Sequence, residues 1–231
     1  MSNSIVEAVP FAVDAQDGSD NMAMRPVDAA TIILVDRRNE NPRFLMGRRS
    51  GGHAFMPDLY VFPGGRRDPR DHARPFSQDL HPLVIKRLLS AVPARMTIAG
   101  ARALALAAMR ELKEETGLSA TDGHDRADLS HLRYVARAVT PPGNVRRYDT
   151  RFFLLPVDDA GISSGAAMDS DELQDLRWVG QQDLANLTVP KITLAILDDV
   201  TTLLEADPSL PYGMSVPFYF MQRGQFVRTR I

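Results

Sequence analysis

Hydrophobic and polar positions along the 231-residue chain alternate between two periods, and the changes of period mark the elements. Ala29–Val35 is a short, β-branched apolar run ending at Asp36, which reads as a buried strand, and Arg43–Arg48 reads as its hairpin partner across a polar turn. Leu59–Phe62 is a further short strand, stopped by Pro63-Gly64-Gly65. Pro82–Val92 has apolar residues at helical spacing, and Ala99–Glu115 is strongly helical, rich in Ala and Leu, with Gly117 placed to end it. Strands are expected at Tyr134–Val139 and Arg151–Val157, joined by a turn at Pro141-Pro142-Gly143-Asn144, and again at Leu176–Val179. Residues 190–204 form an amphipathic helix with Pro190 in its first turn, and Gln222-Arg223-Gly224 turns a hairpin between Phe218–Met221 and Gln225–Arg228. Strands and helices mix without regular alternation, so the expected class is α/β or α+β with a mixed sheet. Residues 1–26 read as a polar leader, and the rest as one domain.

Composition narrows the chemistry. There is no cysteine, which removes disulfides, thiolate metal sites and a cysteine nucleophile. A formal charge of −2 argues against a nucleic-acid binder held by a cationic surface. No signal-peptide pattern or membrane-length apolar run occurs, so a cytoplasmic protein without membrane contact is expected. Among 27 basic residues, lysine stands only at 86, 113 and 191; an arginine excess suits forked phosphate recognition, and a GC-rich genome produces it as well.

The densest chemistry lies in Arg110-Glu-Leu-Lys-Glu-Glu-Thr-Gly-Leu118. At about 100° per residue, Arg110, Glu111, Glu114 and Glu115 share one arc of about 140°. Leu112, Ala108, Ala105 and Ala101 occupy a separate face suited to core packing. Three carboxylates on one arc repel one another, and the helix C-terminus disfavours them further. A chain that accepts both costs is reading as a cation site, and oxygen-only donors suit Mg²⁺ or Mn²⁺. Arg110, one turn before Glu114, is placed to hold that carboxylate. The two glycines at 64 and 65 let backbone approach a bound ion or phosphate closely.

Together these residues resemble the Nudix hydrolase box, Gly-x5-Glu-x7-Arg-Glu-U-x-Glu-Glu-x-Gly-U, where U is a bulky aliphatic. Arg110, Glu111, Leu112, Glu114, Glu115, Gly117 and Leu118 fill its second half without a mismatch. Gly65 would open the first half, with Asp71 standing where the family has Glu, and 31 extra residues separate the halves, an insertion at about 72–100. The split box, together with Arg147-Tyr-Asp-Thr-Arg-Phe-Phe153, resembles the branch acting on coenzyme A and acyl-CoA.

The resemblance implies a Nudix-type αβα sandwich and hydrolysis of the pyrophosphate in a nucleoside diphosphate linked to another moiety. It implies Mg²⁺ or Mn²⁺ bound by Glu111, Glu114 and Glu115 with the Gly64 carbonyl, and a general base at Glu111 or Glu115. Glu172, with Asp171 behind it, and Asp71 are candidates for an additional carboxylate. Arg147 and Arg151 are expected on one strand face as phosphate clamps, with Arg146 on the other, and Arg48 and Arg49 are weaker candidates. The insertion's helix is expected to pack beside the site, shaping the pocket or a homodimer contact. ADP-ribose or dinucleotides are the alternative substrates, and a non-catalytic Nudix-fold sensor is the rival function. Gly161-Ile-Ser-Ser-Gly165 matches a serine-hydrolase elbow but lacks the strand–turn–helix setting such an elbow needs.

Overall fold

The computed structural model describes residues 7–8, 25–38, 41–51, 57–90 and 96–231. Its strands are β1 (Glu7–Ala8), β2 (Val27–Asp36), β3 (Arg43–Arg49), β4 (Tyr60–Val61), β5 (Gly64–Arg66), β6 (Phe76–Gln78), β7 (Ala127–Asp128), β8 (Arg133–Val139), β9 (Tyr148–Pro156), β10 (Leu173–Val179), β11 (Pro217–Gln222) and β12 (Gln225–Arg230). The α-helices are α1 (Pro82–Ser90), α2 (Ile98–Thr116) and α3 (Lys191–Ala206). All strands but β6 and β7 form one sheet in the order β1-β12-β11-β8-β9-β2-β3-β10, with β4 on β3 and β5 on β2. The sheet is mixed: β2 runs parallel to β9 and β11 to β8, while the other pairs are antiparallel.

Alternation along β2 sorts its side chains into two cores. Ala30, Ile32 and Leu34 point to one face and pack with α2 and α1; Ile33 and Val35 point to the other and pack with Ile196, Leu197, Val200 and Leu204 of α3. Helices thus cover both faces, and the αβα sandwich expected from the sequence is what forms. The small residues Ala101, Ala105 and Ala108 of α2, all fully buried with Leu112, let this helix lie close against the sheet. Among the described residues, no helix is long and apolar enough to cross a membrane.

Several local expectations change. Pro63-Gly64-Gly65 does not merely stop a strand: Gly64–Arg66 becomes β5 and pairs with Ala29–Thr31 of β2. β3 meets β2 only at Val35 and Asp36, so the hairpin splays and β5 takes the vacated edge. The insertion helix is described over Pro82–Ser90, and residues 91 and 92 of the expected Pro82–Val92 segment lie outside the described ones. Most of the expected leader also lies outside them, but Glu7–Ala8 pair with Val227 and Arg228 as an edge strand.

Helix α1 places Val84 and Leu88 in the core cluster that α2 also enters, and Arg87 donates to the carbonyl of Gly213 at 2.9 Å. Asp79, just before α1, pairs with Arg102 in the first turns of α2. What reaches the acids is a 3₁₀ turn at Pro69–Ala73, where the insertion begins, capped by Asp68.

Candidate active site

Helix α2 is defined at both ends by its sequence. Thr97 accepts from the Gly100 amide at 3.0 Å, and Gly117 takes the left-handed conformation at φ 72° and donates to the Lys113 carbonyl. The acidic arc of α2 then faces β5. Glu115 accepts the Gly64 amide at 2.8 Å, and a Cβ on residue 65 would lie only 2.3 Å from Glu111 Oε1. A side chain at 65 would therefore push the Glu111 carboxylate out of its position.

The three glutamates are not equivalent. Glu111 and Glu115 are 9% and 7% exposed, whereas the Glu114 side chain is 55% exposed. Burial raises the pKa of Glu111, opposed by the neighbouring Arg110, and pushes Glu115 up to about 8, opposed by its bond from the Gly64 amide. The negative charge of Glu172 adds to the rise at both, and the Arg49 guanidinium works against it at Glu115.

Arg110 is the hub of the cluster. It donates to Asp71 (Nε–Oδ1, 2.9 Å), Glu111 (Nη1–Oε1, 2.7 Å), Glu114 (Nη1–Oε2, 2.9 Å) and the Arg66 carbonyl (Nη2–O, 3.0 Å). The pairing with Glu114 was expected; the other three were not. Asp71, fully buried, also accepts the Asp68 amide at 2.7 Å and pairs with Arg74 at 3.2 Å. Its oxygens hold Arg110, and through it the helix acids. Although 39 positions apart in sequence, Asp71 and Arg110 meet, and the two halves of the split box are rejoined across the insertion.

The arginines expected to clamp phosphate are placed otherwise. Arg151 is buried and bonded to Asp28 at 2.8 Å and to the Asp149 carbonyl, while Asp149 also accepts two bonds from Arg137. Arg147 stands immediately before β9, where its carbonyl still accepts the Val27 amide at 3.0 Å, and its side chain donates to the Thr140 carbonyl at 3.1 Å. Arg146 is exposed. Arg48 and Arg49 sit on opposite faces of β3: Arg48 pairs with Asp58 at 3.2 Å, and Arg49 is the one whose charge reaches Glu115. Glu172 stands immediately before β10, with Leu173 opposite Arg49, and its carbonyl accepts from Ser50; Asp171 is exposed beside it. Ser163 of the elbow-like motif precedes a 3₁₀ turn at Ser164–Ala166, which is not the setting of a nucleophile.

Sequence reading missed Asp28, Arg137 and Asp149, which with Arg151 and Arg67 form a polar network on the α2 face of the sheet. Their signal was charged residues alternating within apolar strands, but it needs the β8–β9 register to be read.

The donors fit a divalent ion in kind: oxygen ligands only, two of them buried with their ionised forms disfavoured for want of positive charge. Among the described residues, no three acidic or imidazole side chains are grouped so that they could hold a metal ion. An ion at the α2 acids would need further ligands from backbone, water or phosphate oxygens.

A NUDIX domain model matches residues 84–199, half of the chain, and takes in the acidic helix while beginning after Gly64–Asp71. The crystal structure of a Nudix hydrolase from Alicyclobacillus acidocaldarius superposes with a TM-score of 0.57 at 24% identity, over 78% of this chain and 93% of that one. The NUDIX domain of Shewanella oneidensis NrtR, complexed with ADP-ribose, superposes with a TM-score of 0.49 at 12% identity, over 84% and 99%. Comparison with the curated proteins finds no match. With the family model spanning half its length and the acidic helix inside that span, the chain belongs to the Nudix family, hydrolases of pyrophosphate bonds in nucleoside diphosphate derivatives.

Proposed function

We propose that this Nudix hydrolase cleaves the pyrophosphate of coenzyme A or an acyl-CoA, releasing 3′,5′-ADP and the phosphopantetheine fragment. Residues 27–231 act as one catalytic unit in this reading, with the insertion part of it. The observation that carries it is the rejoining of a box split by an insertion, Asp71 on Arg110, since that split is the mark shared with the coenzyme A branch.

Glu111, Glu114 and Glu115, with the Gly64 carbonyl, would hold Mg²⁺ or Mn²⁺. The ion, when bound, neutralises pyrophosphate oxygens and acidifies a water. The protein's own groups do the rest. Arg110 holds Glu111 and Glu114 in place from its anchor on Asp71 and the Arg66 carbonyl. Glu115, made the more basic by its burial, accepts the proton of the attacking water. The water oxygen bonds to one phosphorus as the bridging P–O bond breaks, and the departing phosphate takes the bridging oxygen. Glu172 contributes a further negative charge at the rim.

The test is a panel of nucleoside diphosphate derivatives with Mg²⁺ and Mn²⁺, read by product mass. Coenzyme A giving 3′,5′-ADP, with turnover lost in Glu115→Gln at unchanged fold, is the expected result. Turnover of ADP-ribose or dinucleotides with coenzyme A untouched would overturn the substrate. Retained activity in both Glu115→Gln and Glu111→Gln would overturn the site.

A further inference from the structure

Among the described residues, Met168 is the one exposed methionine. It is 66% exposed, whereas Met46 and Met109 are buried and Met96, Met214 and Met221 are half-buried. It stands in the loop between the 3₁₀ turn at Ser164–Ala166 and β10, and two contacts tie it to the end of the acidic helix. Its amide donates to the carbonyl of Thr116, the last residue of α2, at 2.9 Å. Its Cε lies 3.1 Å from where a Cβ on residue 117 would stand, so the thioether end lies against the left-handed glycine that closes the helix. Glu115 is two residues back along the chain. The loop runs on from Met168 to other groups around the acids. Asp169 accepts the amides of Asp175 and Leu176 at 2.8 and 2.9 Å, and the Glu172 carbonyl accepts from Ser50 at 3.1 Å. The charge of Glu172 acts on both Glu111 and Glu115. Residues 168–172 are thus a strap between the end of α2 and β10, and Met168 is its fastening on the helix.

An exposed thioether is open to peroxides. Hydrogen peroxide gives one oxygen to the sulfur, the O–O bond breaks and the other oxygen leaves as water; the sulfur loses the two electrons that the peroxide gains. The sulfoxide oxygen is a hydrogen-bond acceptor with no proton to donate. Beside Gly117 it meets the negative end of the helix dipole and the last backbone carbonyls of α2, which repel it. We propose that Met168 is a site of reversible oxidation, whose sulfoxide releases the 168–172 strap from the end of α2 and lowers the activity of the adjoining acids. This rests on the active site assigned above and adds its regulation.

The experiment treats the parent and Met168→Leu with dilute hydrogen peroxide and takes three readouts. Peptide masses should show Met168 gaining one oxygen ahead of the other described methionines, with buried Met46 and Met109 last. In parallel, kcat/KM for the nucleoside diphosphate derivative that the parent hydrolyses should fall about three- to tenfold, the weight of one hydrogen bond. Methionine sulfoxide reductases should restore it. Met168→Leu should begin at the parent's activity and keep it through the same treatment. Hydrogen exchange, which needs no substrate, should quicken at the amides of Met168 and Gly117 in the oxidised parent. Oxidation of another described methionine ahead of Met168, unchanged exchange or unchanged kcat/KM in the modified parent, or an equal loss of activity in Met168→Leu overturns the proposal. If no nucleoside diphosphate derivative is hydrolysed, the active-site reading fails, and the order of oxidation and the exchange at Met168 still decide this one. If one is hydrolysed equally by parent and oxidised protein, the site stands and this proposal falls.

Discussion

At residue 65 the absence of a side chain is what the site depends on. A methyl group there would meet Glu111 Oε1 at 2.3 Å, so Gly65→Ala should displace that carboxylate and lower kcat tenfold or more while leaving the thermal midpoint within a few degrees. Gly64→Ala is a different case, because its Cβ would strike Thr31 Cα and the Ala30 carbonyl at 2.7 Å, backbone atoms that cannot swing aside. It should cost about 1–3 kcal/mol in urea unfolding. Parent-like behaviour in both variants would sink the account of this contact. Glu115 makes a second prediction. Its pKa lies near 8 in the folded protein against an ordinary 4.5, so its contribution to stability is full below about pH 4.5 and is lost as pH rises towards 8. Replacing it with Gln removes that loss. Glu115→Gln should gain stability relative to the parent as pH rises from 5 to 8, measured by denaturant midpoints across that range.

At the scale of elements, the acidic helix was legible and its partners were not. Periodicity placed α2 within one residue of both ends, and the sequence face of Ala101, Ala105, Ala108 and Leu112 is the buried one. What the helix acids touch comes from β5 and the 3₁₀ turn. β5 has two glycines and no strand propensity of its own; it is a strand because β2 offers an edge where β3 has splayed away. The 3₁₀ turn and α2 are joined by Asp71 on Arg110. Asp71→Asn leaves a largely buried guanidinium short of charge and should cost about 3–5 kcal/mol, with kcat falling as Glu111 and Glu114 lose their support. Helix α1 serves the apolar core. Leu88→Ala should destabilise by about 2–5 kcal/mol, yet leave the product profile as in the parent, because this side chain is buried among apolar residues and not among the polar groups around Arg110. A changed substrate preference in Leu88→Ala would show that α1 shapes the site after all.

For the molecule as a whole, the near-neutral formal charge conceals an ordered arrangement. Arginines are matched to aspartates in a run from Arg67 through Asp28, Arg151 and Asp149 to Arg137, which ties β2, β9 and β8 together on the face that α2 covers. The carboxylates of α2, by contrast, remain under-compensated in the interior. A divalent cation that binds the folded protein there should stabilise it by about 2.7 kcal/mol at a hundred times the dissociation constant, and so raise its thermal midpoint. The gain should shrink as pH falls towards 5, where Glu115 is protonated, and should vanish in Glu111→Gln/Glu115→Gln. An equal gain at pH 5 and pH 8, or in the double variant, would place the cation elsewhere.

Sequence alone determined the acidic helix, its C-terminal cap at Gly117, the buried strands and the family, because these rest on spacing along a single element, where neighbours in the chain are neighbours in space. It also carried both halves of the split box. Only the tertiary structure decided that Asp71 serves Arg110, that Gly65 lies against Glu111, and that Arg151 is neutralised by Asp28 and Asp149. Each of these depends on strand register or on a contact closed across the insertion. The partners of a long arginine side chain are set by what the fold brings within its reach, and no local pattern in the sequence encodes that.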